Sequence, residues 1–265
     1  MSPQNPQLET GRLPEHWPAA TADWQAHAYN AHFYILRESA AVNFEKPFVY
    51  LIFGSESALL IDTGSGAADL AGFVAALLSG LRLRLIVAHS HGHGDHVAGD
   101  GALRRMPGVT FIPATIEAAC EAFGIGTWPD GAGAIDLGGR ILDVIPIPGH
   151  HPAHFAFYDR ATGILLTGDH LYPGRLYVYD FAAYLASTRR LVEFTASRPV
   201  AHVLGCHIEQ TATPFVDYPE GTLAQPDEHG LALGRAHLLE LLAALEAMQG
   251  RPVRSYHRDF TIWPA

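Results

Sequence analysis

His89-Ser90-His91-Gly92-His93-Gly94-Asp95-His96 places the imidazoles of His91, His93 and His96 and the carboxylate of Asp95 within six residues. Neutral imidazole and carboxylate suit borderline cations such as zinc, and the same donors accept iron or manganese. Gly92 and Gly94 remove bulk between the donors and allow tight backbone turns, so the run reads as a loop, not a helix. The apolar stretch Leu83-Arg84-Leu85-Ile86-Val87-Ala88 ahead of it reads as a buried strand, which puts the histidines where the strand ends.

Three later segments repeat this arrangement. Arg140 to Ile145 is strand-like and runs into Pro146-Ile147-Pro148-Gly149-His150, where proline and glycine fix a turn that aims one imidazole. Gly163-Ile164-Leu165-Leu166-Thr167-Gly168-Asp169 is an apolar strand ending in a small-residue turn and a carboxylate. Ala201-His202-Val203-Leu204-Gly205-Cys206-His207 follows the same plan. Four such strand ends predict a single site at one rim of a sheet.

These motifs, in this order, resemble the metallo-β-lactamase superfamily, whose signature is His-x-His-x-Asp-His followed by isolated His, Asp and His at later strand ends. The resemblance spans about Phe33 to His207. It includes Leu59-Leu60-Ile61-Asp62-Thr63-Gly64, similar to the family's first motif, and Ser90 stands where many members carry Thr. The fold it implies is α/β (α+β), a four-layer αβ/βα sandwich of two mixed β-sheets flanked by helices, with metals in the cleft between the sheets. It implies two divalent metals, zinc foremost, with His91, His93 and His150 on the first, Asp95, His96 and His207 on the second, and Asp169 bridging. Asp62 is then structural, accepting hydrogen bonds from the metal loop. The activity implied is metal-dependent hydrolysis, in which a water activated between the metals attacks an ester, thioester, lactone or related small-molecule carbonyl, with Asp95 orienting that water or moving its proton.

The chain has 16 histidines, more than one site needs. His89 reads as packing or supporting, and His151 diverges from its ligand neighbour. His154 is expected to donate a ring proton that orients a ligand or carboxylate. His170 is a candidate pocket residue, with Trp128, Tyr172, Arg175, Tyr177 and Tyr179; the aromatics and Arg175 would wall the pocket and hold a carboxylate. The glycine-rich Ala122 to Ile135 reads as a lid, and Glu209 to Asp227 as a second closing segment. His16, His27, His32, His202, His229, His237 and His257 read as structural or surface residues.

With 265 residues and 48% hydrophobic content, the chain fits one domain, 1–265, with 1–25 an N-terminal extension and 209–265 a C-terminal loop, helix and terminal strand. A formal charge of −10, from 17 Lys plus Arg against 27 Asp plus Glu, opposes nucleic acid as a partner and leaves a small-molecule substrate. Two cysteines make no disulfide framework, and Cys206 reads as a core thiol facing away from the metals. Met1 to Trp24 lacks a basic start and a long apolar run, and nothing approaches a membrane span, so the expectation is a cytoplasmic protein with no membrane partner.

Phe48 to Phe53 and the stretches Tyr34 to Arg37 and Ala58 to Ile61 predict early strands. Helices are predicted on the stripe Leu70, Phe73, Val74 and Leu77 after Gly64-Ser65-Gly66, from an Asp180 N-cap through Val192, and over Glu228 to Met248. Glyoxalase II, a member of the superfamily, grips glutathione with an added basic helical region; the tail here offers only Arg235, Arg251, Arg254 and Arg258 as strong cations, which argues against glutathione recognition. Two other readings of the same ligand types are an iron sulfur dioxygenase, which leaves His96 and His207 unused, or diiron oxidoreductase, and a non-catalytic metal-binding protein.

Overall fold

The computed structural model describes residues 8–17 and 22–265; of the expected N-terminal extension, 1–7 and 18–21 lie outside the described residues. The first sheet has six strands in chain order: β1 (Trp24–Asn30), β2 (Phe33–Glu38), β3 (Phe48–Phe53), β4 (Ser57–Ile61), β5 (Arg84–Ala88) and β6 (Thr110–Phe111). Its first four strands pair antiparallel as hairpins, and β4, β5 and β6 pair parallel. The second sheet contains β7 (Gly133–Asp136), β8 (Ile141–Pro146), β9 (Phe155–Asp159) and β10 (Ile164–Gly168). A strand β11 (Arg175–Val178) leaves it, and β12 (His202–Gly205) and β13 (Ala232–Leu233) return, giving the order β13-β12-β10-β9-β8-β7. β11 joins β14 (Ser255–Tyr256) and β15 (Thr261–Pro264) in a small third sheet.

Side-chain alternation makes the layers. On β3, Phe48, Tyr50 and Ile52 face the second sheet, while Val49, Leu51 and Phe53 join Leu70, Val74 and Leu103 on the outside. On β9, Phe155 and Phe157 face inward and Ala156 and Tyr158 outward, where Leu191, Leu238, Leu241 and Leu245 cover them. The helices responsible are α1 (Leu70–Leu77), the single turns α2 (Gly94–Val97) and α3 (Asp100–Leu103), α4 (Ile116–Phe123), α5 (Phe181–Phe194) and α6 (Arg235–Ala247). The result is helix, mixed sheet, mixed sheet, helix, the sandwich expected from the sequence.

Several boundaries differ from expectation. α1 begins at an Asp69 cap whose carboxylate accepts from Gly72 N at 2.9 Å, later than the glycines at 64 and 66. α5 starts at the Asp180 cap as read, with Ala183 N at 3.0 Å from the carboxylate. α6 starts seven residues after Glu228, because Leu231 is buried ahead of it and Ala232 and Leu233 are drawn into the edge of the second sheet. The histidine run is not all loop: His93 caps the turn Gly94–Val97, so Asp95 and His96 sit on a helix. No helix among the described residues is long and apolar enough to cross a membrane.

The 209–228 segment is anchored to the first sheet by a buried ion cluster. Glu228 takes both terminal nitrogens of Arg37, at 2.7 and 2.6 Å, and the ammonium of Lys46, which also bonds Gln225 at 2.7 Å. Removing the one acid would leave two buried cations unpaired, so Glu228→Gln is expected to destabilise by about 3–5 kcal/mol in urea unfolding; a loss under about 1 kcal/mol would mean water compensates the cations.

Candidate metal centre

The donors come from the ends of both sheets, not from the rim of one. His91, His93, Asp95 and His96 follow β5 of the first sheet; His150, Asp169 and His207 follow β8, β10 and β12 of the second. Gly149 makes the His150 turn: its φ is 138°, and a Cβ there would stand 2.4 Å from the Tyr184 backbone. The two sheets are joined at this rim by backbone bonds from Phe155 N to Ser90 O and from Phe48 N to Cys206 O, each 2.8 Å.

Two sets of ligand atoms converge: His91, His93, His150 and Asp169, and then Asp95, His96, Asp169 and His207. In the first, His93 Nδ1 lies 3.0 Å from the Nε2 of both His91 and His150. Asp169 Oδ2 stands 3.8 Å from His91 Nε2 and 3.5 Å from His150 Nε2. In the second, Asp95 Oδ2 is 3.1 Å from His96 Nε2 and 3.2 Å from His207 Nε2, and Asp169 Oδ1 is 3.4 Å from each. One oxygen of Asp169 thus serves each set.

The outward nitrogens fix these orientations. His150 Nδ1 donates to Tyr177 O at 2.9 Å and His207 Nδ1 to Glu45 O at 3.1 Å; a carbonyl only accepts, so the tautomer is set. His96 Nδ1 donates to Asp62 Oδ2 at 2.9 Å. Ser90 spends its hydroxyl proton on Asp62, at 2.7 Å, which leaves its oxygen to accept from His91 Nδ1 at 3.0 Å. Each of these four rings therefore presents Nε2 inward.

The donor set fits divalent cations. Ligands about 2.1 Å from a tetrahedral zinc stand roughly 3.4 Å apart, the scale of the separations found here. His96 Nε2 and Asp169 Oδ1 are buried and 3.4 Å apart, so a proton held between them or a cation must satisfy both atoms. The electrostatics of the two sets differ. Burial drives the His91, His93 and His150 imidazoles down, His150 to about 4, so the first set is already neutral for binding. Burial also opposes charge on His96 and His207, but Asp95 and Asp169 together outweigh it and hold both well above the usual histidine range. A metal entering the second set displaces those protons, so its binding tightens as pH rises.

Asp62 accepts from Ser90 N as well as from Ser90 Oγ and His96. Cys206 is a buried thiol of the inter-sheet core, as read, and its Sγ also stands 3.5 Å from Asp62 Oδ2. His89 bonds Asp100 Oδ1 at 2.8 Å and braces the turn from behind. His154 is buried beside His91 and His150, but neither ring nitrogen has a hydrogen-bond partner among the described residues, so the ring-proton donation expected of it is absent. His151 turns its Nδ1 to the backbone of residue 153 and joins neither set.

A cavity of about 290 Å³ opens in front of the donors. Tyr172, Arg175, Tyr177 and Tyr179 line it, together with His93, Asp95, His150, Asp169 and His207. His170 and Trp128 do not. His170 is fully buried, stacked on Tyr184 at 4.1 Å and bonded to Thr188 at 3.0 Å; Trp128 packs edge-on against Phe155 in the inter-sheet core. No residue of 122–135 reaches the cavity, whereas Glu209 and 219–221 with Gln225 do. Phe44 and Glu45 complete the wall and were missed in the sequence, since nothing local marks the turn after Asn43 as adjacent to His207. Replacing Asp62 with Asn is expected to weaken metal binding about 10–100-fold in chelator competition, with the fold retained by circular dichroism; unchanged affinity would mean the loop aims His91 and His96 without it.

The profile of the metallo-beta-lactamase superfamily matches residues 42–247. A hydroxyacylglutathione hydrolase from Stenotrophomonas maltophilia is 30% identical over 213 residues, covering 76% of this chain and 77% of that one. A second protein of that name, from Anaeromyxobacter dehalogenans, is 35% identical over 129 residues, and there the match spans only 46% of the relative. Among solved structures, a metallo-beta-lactamase from Pontibacter korlensis superposes with a TM-score of 0.59 at 20% identity, covering 84% of this chain and 99% of that chain, a likeness of fold.

Proposed function

The chain belongs to the metallo-beta-lactamase superfamily, and from that premise we propose that it is a divalent-metal-dependent hydrolase of a small ester, thioester or lactone. The single observation that carries the two-metal form of this reading is Asp169, whose two oxygens face two separate histidine sets. His91, His93 and His150 would hold one cation, Asp95, His96 and His207 the other, and zinc suits these donors best. The relatives named hydroxyacylglutathione hydrolase support a thioester as the starting class. The family match across both sheets supports treating 1–265 as one domain.

Bound cations supply Lewis acidity for the carbonyl oxygen and lower the pKa of water from about 15.7 towards 7. The chain's own groups do the rest. Tyr177 and Glu45 fix His150 and His207 through backbone carbonyls, so the donors need no rearrangement as charge develops. Asp95 lines the cavity with its carboxylate between His96 and His207, where it orients the attacking water and carries its proton to the leaving oxygen or sulfur. The water oxygen joins the acyl carbon, the bond from that carbon to the leaving atom breaks, and acid plus alcohol or thiol result.

Metal-free protein is expected to be inactive on an ester, thioester and lactone panel and to regain activity with about two zinc per chain. Asp95→Asn is expected to lower kcat by about a hundredfold or more with metal still bound. Full activity of that variant would remove Asp95 from proton transfer. A reconstituted protein inert on the whole panel, whose iron form consumes oxygen with persulfides, would overturn the hydrolase.

A further inference from the structure

Five carboxylates line the cavity, those of Glu45, Asp95, Asp169, Glu209 and Glu220, against one arginine, Arg175. Asp95 and Asp169 face the histidines. Arg175 is tied to its own surroundings through two of its nitrogens: Nη1 donates to Tyr218 O at 2.7 Å, and Nε stands 3.4 Å from the Tyr177 hydroxyl and 3.5 Å from Glu209. That pair is neutral. Lys46, next in sequence to Glu45, turns its ammonium away to Glu228 and Gln225. Glu45 and Glu220 are thus left without an ion-pair partner among the described residues, on a wall that also carries the aromatic faces of Phe44, 41% exposed, and Tyr179, 60% exposed.

Unpaired carboxylates beside exposed aromatic rings are the chemistry that receives an ammonium or guanidinium group, through Coulomb attraction and the negative face of the rings. The same wall repels a carboxylate, and the single cation on its lining, Arg175, already faces Glu209. We infer that the substrate carries a cationic group on the portion that lies against Phe44, Glu45 and Glu220, and that an anionic leaving group such as glutathione is disfavoured. This rests on the hydrolase reading for its chemistry, whereas the charge preference stands on the cavity wall alone. Arg175 accordingly organises the wall by holding Glu209 and Tyr218.

The test uses three thioesters with one acyl group and different leaving thiols: thiocholine, a quaternary ammonium cation with no nucleophilic nitrogen; 2-mercaptoethanol, neutral; and 3-mercaptopropionate, an anion. Zinc-loaded full-length protein is expected to show kcat/KM about tenfold higher for the cationic than for the neutral thioester, with the anionic one lower still. That preference shrinks with added salt, as screening requires. Glu45→Gln combined with Glu220→Gln is expected to bring the cationic-to-neutral ratio within about threefold, whereas a merely structural defect lowers all three substrates together and leaves the ratio intact. Calorimetric binding of the corresponding amides separates the two claims. No turnover of any thioester, with the cationic amide still bound most tightly, removes the hydrolase reading and leaves the charge preference standing. Equal binding of the amides, or preference for the anionic one, overturns the inference whatever the turnover.

Discussion

The carboxylate of Asp62 is where the two halves of the molecule are tied together. It stands just past the end of β4 at a φ of 69°, a backbone conformation that aspartate tolerates better than most residues. From there it takes the Ser90 amide and hydroxyl, the His96 ring and the Cys206 thiol, groups that follow β5 of one sheet and β12 of the other. Burial makes these bonds costly to leave unmade, so the metal loop has one low-energy placement. Everything in front of the loop inherits that placement, since the His91 orientation depends on the Ser90 hydroxyl that Asp62 holds.

The two ligand sets differ in charge because the carboxylates are not evenly shared. Asp95 belongs to one set only, and Asp169 reaches both. The acid-poor set is held neutral by burial. The acid-rich set balances its carboxylates with protons on His96 and His207. In both cases the groups are pre-oriented by acceptors behind them, which is the condition under which a rigid scaffold contributes to chemistry. The outer wall belongs to a different part of the chain, the 209–228 segment that Glu228 pins to Arg37 and Lys46.

The individual strands and helices were legible because they rest on local periodicity, and the four-layer sandwich through the resemblance of the motifs to the metallo-β-lactamase superfamily. Along 48–53 and 164–168, which read as strands, the side chains alternate between the inter-sheet core and the helical layers. The clustered donors were legible because each follows a strand and a small-residue turn. What failed depends on contacts remote in sequence. His170 follows Asp169 directly yet points into α5, where Thr188 and Tyr184 receive it. Trp128 sits in a glycine-rich stretch that looked mobile but packs on Phe155. Glu45 and Glu220 meet at one cavity only because the 209–228 segment folds back over the first sheet. The start of α6 moved because an edge strand claimed Ala232 and Leu233, a tertiary pairing that helical spacing cannot register.

The proposed function turns on one carboxylate, Asp169, that would join two separate metal positions. Anomalous diffraction at the zinc edge from crystals of zinc-loaded protein tests it most directly. Two peaks about 3.5–4 Å apart are expected, one among His91, His93 and His150 and the other among Asp95, His96 and His207, each beside a different oxygen of Asp169. A single peak at full zinc loading, with His96 and His207 still bonded to the carboxylates of Asp95 and Asp169, would contradict it.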